Sequence, residues 1–219
     1  MISKTPNSRH SERKLRAIRN AGRSVFLRLG FEQASMDLIA AEAKVSKQTI
    51  YNHFRNKEDL FKAIIMDMTN SLMAPLDLEE SAKLTPEQLL RSFGSEFLTL
   101  MLGPSSLALY RLIVAESGRF PELGNELYRV GSGRLIGVLA DYFTWETTRG
   151  RLAVMQPDRA AELFVGMLSG RVQLRALLGV DETPSREELH DRVEHAVSSF
   201  LRLYAVPAYR VAPEGSVAD

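Results

Sequence analysis

At 219 residues, 45% of them hydrophobic and 25% charged, the chain can bury one sizeable core and a smaller second one. It has no cysteine, which excludes a disulfide framework, a thiolate metal site and a cysteine nucleophile. The formal charge of +1 hides an asymmetry: residues 1–60 carry 12 Lys+Arg against 6 Asp+Glu, and residues 61–219 carry 16 against 21. A basic small part joined to an acidic larger one suits a polyanion at one end and solvent or a partner at the other. Met1 to Lys14 is polar and basic without an apolar run, and nothing resembles a signal peptide or a membrane span, so the expectation is a cytoplasmic protein that meets no membrane.

The first expected helix carries an apolar stripe of Leu15, Ile18, Val25, Phe26 and Leu29, with Arg16, Arg19 and Arg23 at helical spacing on another face. Alone, that basic face reads as solvated. Its neighbour changes the reading. Residues 35–54 predict two short helices joined by a tight turn. Ser35 caps the first, which buries Met36, Ile39, Ala40 and Ala43. Val45 fills the turn, Ser46 caps the second helix, and Ile50 and Phe54 are its only inward apolar positions. Lys47, Gln48, Thr49, Tyr51, Asn52 and His53 are left outside, all donors or amphipathic rings and none acidic. Phosphates repel carboxylates, whereas Gln and Asn pair with base edges, so this is the pattern of a helix-turn-helix whose second helix enters the major groove. Beside it, the arginines of the first helix are expected to reach phosphates.

The spelling of this region resembles the TetR family of bacterial transcription regulators. The matching stretches are Gly30-Phe31 at the end of helix 1, Ile39-Ala40-Ala41-Glu42-Ala43, Val45-Ser46-Lys47, Thr49-Ile50-Tyr51-Asn52-His53-Phe54 and Lys57-Glu58-Asp59-Leu60-Phe61. They lie in one order and spacing over roughly a quarter of the chain. Two departures stand out. Lys44 sits where the family usually has Gly, at a left-handed turn position, at a cost of about 1 kcal/mol. Gln48 replaces a commonly small residue and reaches further toward the bases. The resemblance implies that Lys47, Gln48, Tyr51 and Asn52 contact DNA, while Ser35, Thr49, His53 and Lys57 position the domain on phosphates.

Beyond residue 56 the punctuation predicts helices throughout. Asn56-x-x-Asp59 opens one with a stripe of Phe61, Ile64, Ile65, Met68 and Leu72, and an acidic connector spans 76–83. Thr85-Pro86-Glu87-Gln88 caps the next, ahead of Leu89, Leu90, Phe93, Phe97 and Met101. Gly103-Pro104 breaks the chain, and Ser105 starts a helix that ends by Gly118. Another begins at Pro121, is interrupted around Gly131 and Gly133, and runs on to Gly150. Helices opened by Pro157 and by the Ser185-x-x-Glu188 capping box complete an all-α architecture. The expected division is an N-terminal three-helix helix-turn-helix domain, 1–56, a larger C-terminal helical bundle for ligand binding and dimerisation, 57–207, and a disordered tail, 208–219.

Tyr110-Arg111-Leu112-Ile113 followed by Arg119-Phe120-Pro121-Glu122-Leu123 resembles the same stretch in one subgroup of the family. Family resemblance implies a small hydrophobic effector bound among the middle helices and a homodimer built from the last two. Met101, Tyr110, Tyr142, Trp145, Phe164 and Met167 are candidates to line the pocket, with ordinary core packing an equal alternative for each. Arg111, Glu116 and Gln173 are candidate polar anchors. For the dimer seam the candidates are Phe164, Leu168, Val197, Phe200 and Leu201, with Gly166 and Gly170 allowing close approach; an intrachain crossing explains the glycines as well.

An enzyme finds little support. Glu187-x-x-His190 has di-iron spacing but no second copy, so it reads as a solvated helix face, and no metal or other cofactor is expected. Gly131-x-Gly133 lacks the strand and third glycine of a dinucleotide fingerprint. The expectation is a ligand-responsive, homodimeric repressor acting on a palindromic double-stranded operator. A ligand-responsive activator and an architectural DNA binder without sequence specificity are the alternatives.

Overall fold

The structure is a computed structural model, and it describes residues 6–73, 76, 81–180 and 184–207. The expected disordered tail, 208–219, lies outside these residues, as does half of the acidic connector, 77–80. Among the described residues ten α-helices follow one another: α1 (Pro6–Gln33), α2 (Met36–Glu42), α3 (Lys47–Tyr51), α4 (Lys57–Met73), α5 (Pro86–Met101), α6 (Pro104–Glu116), α7 (Pro121–Glu126), α8 (Gly133–Thr148), α9 (Pro157–Leu178) and α10 (Arg186–Tyr204). Among the described residues the only β pairing is one bridge between Leu152 and Ala205. The fold is all-α, as the periodicity requires. No single described helix is long and apolar enough to cross a membrane.

Packing divides the chain into two compact units, 1–70 with 104–133, and 71–103 with 134–219. This grouping differs from the 56/57 division drawn along the sequence, because α4 as far as Asn70, α6 and α7 join the helix-turn-helix. In the first unit, Ile18, Val25 and Phe26 of α1, Ile39 of α2, Ile50 of α3 and Leu60, Phe61 and Ile64 of α4 share one core with Leu109 and Ile113 of α6 and Leu123 of α7. Phe31 is its centre. Its ring lies 5.4 Å from Phe26, 5.6 Å from Phe61 and 5.6 Å from Phe120, the last two edge-on, the geometry that aromatic quadrupoles favour.

The expected caps form. Thr85 Oγ1 accepts from Gln88 N while Thr85 N donates to Gln88 Oε1, and Ser185 and Glu188 repeat the arrangement. The expected break at Gly131 and Gly133 does not occur. The chain stays helical there by widening into a π-helical turn over Leu127–Ser132.

The second unit packs Leu89, Phe93 and Phe97 of α5 and Leu139, Tyr142 and Phe143 of α8 against Phe164 and Leu168 of α9 and Val197, Phe200 and Leu201 of α10. Phe200 stacks on Phe143 at 4.7 Å and meets Phe164 edge-on at 5.2 Å. Gly170, exposed on α9, breaks the helical path, and a Cβ there would lie 3.0 Å from Arg192 Nη1 of α10. It takes φ +38°, kinking α9, and Arg192 donates from Nη1 to the carbonyls of Met167 and Leu168 beside the kink. Close helix approach also occurs at Gly94, where a Cβ would lie 3.1 Å from both Leu168 and Val193.

Among the described residues one ion pair is buried. Arg151 donates from Nε and Nη2 to the Glu146 carboxylate, each at 2.5 Å, and from Nη1 to the Leu84 carbonyl at 3.1 Å. Glu146 is fully enclosed. Tyr142, one turn earlier on α8, is fully buried too, and burial followed by the Glu146 charge pushes its phenol well above its usual value near 10. The folded chain therefore holds this proton where the unfolded chain releases it, so stability is fully present below pH 10 and falls as pH rises beyond it. Tyr142→Phe should abolish that component. The variant should lose about 1.4 kcal/mol less stability per pH unit above pH 10 than the parent, read from urea denaturation across pH 9–11.5.

Candidate nucleic-acid interface

The turn between α2 and α3 is built by the backbone. Ser35 Oγ accepts from Leu38 N at 3.2 Å to start α2, and Ser46 Oγ accepts from Thr49 N at 3.1 Å to start α3. Between them, Val45 N donates to Ala40 O at 3.0 Å and Lys44 N to Ala41 O at 3.2 Å. This is the Schellman pattern of helix termination, and Lys44 occupies its left-handed position with φ +55°. Lysine therefore tolerates the conformation that glycine normally supplies. The expected strain is present.

Beneath this turn Met36, Ile39, Ala40, Ile50 and Phe54 are buried, so α3 is pinned by one face. Its other face carries Lys47, Gln48, Tyr51, Asn52 and His53, all exposed, with Thr49 half-buried. Tyr51 keeps half of its surface in solvent. Thr49 Oγ1 shares a hydrogen bond with Ser46 Oγ at 2.8 Å. Gln48 Nε2 donates to Asn52 Oδ1 at 2.8 Å, which leaves the Gln48 carbonyl and one amide hydrogen for another partner. Lys47 pairs with Asp37 at the start of α2. Both side chains are more than half exposed, so the pair is weak and a phosphate can displace the carboxylate. Arg28 binds Glu42 at 2.6 Å and holds that carboxyl below its usual value of 4.5.

Some of the residues expected on phosphates make contacts within the chain. Lys57 turns its ammonium back onto the end of α1, donating to Phe31 O at 2.8 Å and Glu32 O at 3.2 Å and lying 4.4 Å over the Phe31 ring. Carbonyls at a helix end attract a cation, and that attraction holds the side chain here. Arg19 likewise pairs with Asp67 of α4 at 3.0 Å, and Arg23 donates to Asn20 at 3.3 Å, while Arg16 stays exposed.

The helix-turn-helix also rests on residues that the sequence did not single out for this task. α1 leaves its helical path at Gly30, which has φ +79°, and the next amide, Phe31 N, donates to Glu116 Oε1 at 3.0 Å and Oε2 at 3.1 Å. A Cβ on Gly30 would stand 2.6 Å from that carboxylate, and positive φ disfavours any side chain there. Arg119 pairs with Glu32. Glu116, expected as a polar anchor for a ligand, instead supports α1 from 85 residues away. Such separation leaves no local signal.

The candidate ligand residues fall in both units. Tyr110 is exposed and belongs to the first unit. Tyr142 and Phe164 are fully enclosed in the core of the second, with Met101, Trp145 and Met167 packed against that core. Of the candidate seam residues, Phe164, Leu168, Val197 and Phe200 have no exposed surface and Leu201 keeps 6%. They close the core of a single chain, because α5 and α8 already cover the face that periodicity identified as apolar. Of their large apolar residues, α9 and α10 leave Leu163, Leu174, Leu178 and Leu203 exposed, and Gly166 and Gly170 are exposed as well.

A capped, acid-free helix held by one face on a compact helical support defines a DNA-binding helix-turn-helix regulator. Residues 18–64 match the model of the bacterial regulatory proteins of the tetR family, and residues 88–206 match that of the C-terminal domain of AefR-like transcriptional repressors. The second match alone covers more than half of the chain, and the protein belongs to the TetR family of transcriptional regulators. The fold resembles that of a TetR-family regulator from Mesorhizobium loti, with 29% identity, TM-score 0.74, and 93% of this chain and 100% of that one covered. It also resembles the flavonoid-responsive regulator FrrA, with 31% identity, TM-score 0.70, and 90% and 99% covered. The regulator UidR of Escherichia coli is 45% identical over 49 residues, 22% of this chain and 25% of that protein. The match thus spans about a quarter of that curated relative's length.

Two substitutions follow from this geometry. Lys44→Gly should raise stability by about 1 kcal/mol in urea denaturation, by relieving the left-handed strain. Lys57→Met should lower it by about 1–2 kcal/mol through the lost charged hydrogen bonds, while the slope of log affinity for DNA against log salt stays unchanged. A slope reduced by about one unit with stability intact would return Lys57 to a phosphate.

Proposed function

We propose that the protein is a homodimeric repressor that binds a two-fold operator and is released from it by a small apolar or aromatic effector. The observation that carries this reading is the exposed face of α3, which offers an ammonium, two carboxamides, a phenol and an imidazole and no carboxylate. In this reading Gln48, Lys47, Tyr51 and Asn52 meet base edges, and Ser35, Thr49 and His53 meet phosphates. The match to AefR-like repressors supports repression, and the similarity to a regulator described as flavonoid-responsive supports an aromatic effector. The protein would work in the cytoplasm, where its operator lies.

One α3 covers too few base pairs to specify a genomic site, and two copies related by a two-fold axis remove that limit. The seam proposed for the dimer is the exposed apolar surface of α9 and α10, from Leu163 through Leu174 and Leu178 to Leu203. Tyr142 and Trp145 are the proposed reporters of effector binding. The Trp145 ring lies 6.1 Å from Tyr142 and 4.3 Å from the Arg149 guanidinium, so movement of either changes its fluorescence.

Selection of duplexes from a random pool, at fixed salt and with sedimentation at micromolar concentration, tests the reading. The expected outcome is a dimer on a palindrome whose half-sites lie about 34 Å apart, or a multiple of that. Gln48→Ala should relax preference at one position per half-site, costing about 1–3 kcal/mol there. A folded monomer that binds all duplexes alike would overturn it. Aromatic compounds that shift Trp145 emission should also weaken operator binding; compounds that bind without doing so would remove effector control.

A further inference from the structure

The stretch from Tyr110 to Leu123, which the sequence marks without explaining, ends at the corner where α6 meets α7. That corner grips the end of α1. Glu116 accepts Phe31 N with both carboxylate oxygens, Arg119 pairs with Glu32, and the Phe120 ring meets Phe31 edge-on at 5.6 Å. Just after it in the chain, Lys57 of α4 takes the carbonyls of Phe31 and Glu32. Phe31 itself is fully buried, and the partly exposed Glu116 carboxylate is the acceptor its amide finds. Only Ala34 and the cap Ser35 separate the gripped segment, Phe31–Gln33, from α2.

We propose that Glu116 is a positioning residue for DNA binding: by fixing the Phe31 peptide it sets the direction in which α2 and α3 leave α1. This rests on the reading of α3 as the recognition helix. Three features carry it. The bond is made by an ionised acceptor to a buried backbone donor, the stronger kind of hydrogen bond. It spans 85 residues, so it fixes the attachment of α1 to α6 rather than the local shape of either. It also coincides with the one point where α1 abandons helical geometry, at Gly30, where the backbone has most freedom to turn. A loosened Phe31 peptide leaves each helix intact and misdirects the pair. Recognition of base edges depends on that direction, whereas attraction to phosphates depends chiefly on charge.

The test uses the full chain, an operator selected with the parent protein, random duplex DNA and the variants Glu116→Ala, Glu116→Gln and Glu116→Asp. Glutamine keeps an acceptor oxygen at the same reach; aspartate keeps the charge but is one methylene short. Alanine and aspartate should bind the operator about ten-fold or more weakly, with affinity for random DNA and its salt slope unchanged. Glutamine should stay within about three-fold of the parent on both. Circular dichroism establishes that each variant is folded at the assay temperature. If alanine fails to fold, the comparison of aspartate with glutamine decides. Full operator affinity in folded Glu116→Asp, or equal losses on operator and random DNA, would overturn the proposal. Failure of the parent to select any operator would instead remove the reading of α3.

Discussion

The first unit depends on how the backbone of one buried residue, Phe31, is held. Its N–H is taken by the Glu116 carboxylate and its carbonyl by the Lys57 ammonium, while its ring sits among Phe26, Phe61 and Phe120. An anion at the N–H of the Gly30–Phe31 peptide and a cation at the C=O of the Phe31–Glu32 peptide each stabilise the unit they touch. The arrangement draws α1, α4 and the α6–α7 corner to a single point. Without it the chain would leave a backbone donor unsatisfied in an apolar core, one of the costlier defects a fold can carry. The left-handed turn at Gly30 follows, since a side chain there would collide with the carboxylate.

From that support the helix-turn-helix derives its rigidity with little material. α2 and α3 have seven and five residues, too short to be stable alone, and each is closed by a serine cap and fixed by one apolar face. The Schellman turn at Lys44 joins them without a flexible linker. Charge on this face is kept in reserve. Lys47 and Arg28 are matched to Asp37 and Glu42 in exposed pairs that cost little to break, so cations are available to a phosphate while the free protein avoids uncompensated repulsion.

The second unit solves a different problem, enclosing a charged pair. Glu146 and Arg151 satisfy one another through two hydrogen bonds, and Arg151 reaches the carbonyl of Leu84 as well. A buried pair of this quality contributes more to a unique arrangement than to net stability, since desolvation offsets much of the attraction. Here it ties the end of α8 to the segment before α5. The backbone then closes the unit, with Ala153 N donating to Tyr204 O at 2.7 Å and Val206 N to Arg151 O at 3.3 Å.

The sequence by itself determined whatever depends on neighbours a few residues away. The helices announce themselves by period, Ser35, Ser46, Thr85 and Ser185 start them as caps, Lys44 takes the left-handed turn, and Ile50 with Phe54 turns the polar face of α3 outward. Tertiary structure decided which apolar face meets which. Leu168 and Phe200 carry the period of an interface and of a core alike, and only the arrival of α5 and α8 made them core. It also decided which charges find each other. Glu116 reaches Phe31 across 85 residues and Lys57 turns to a helix end rather than outward. Periodicity and capping are short-range, whereas a buried donor accepts whichever anion the folded chain delivers to it, and no local pattern records that choice.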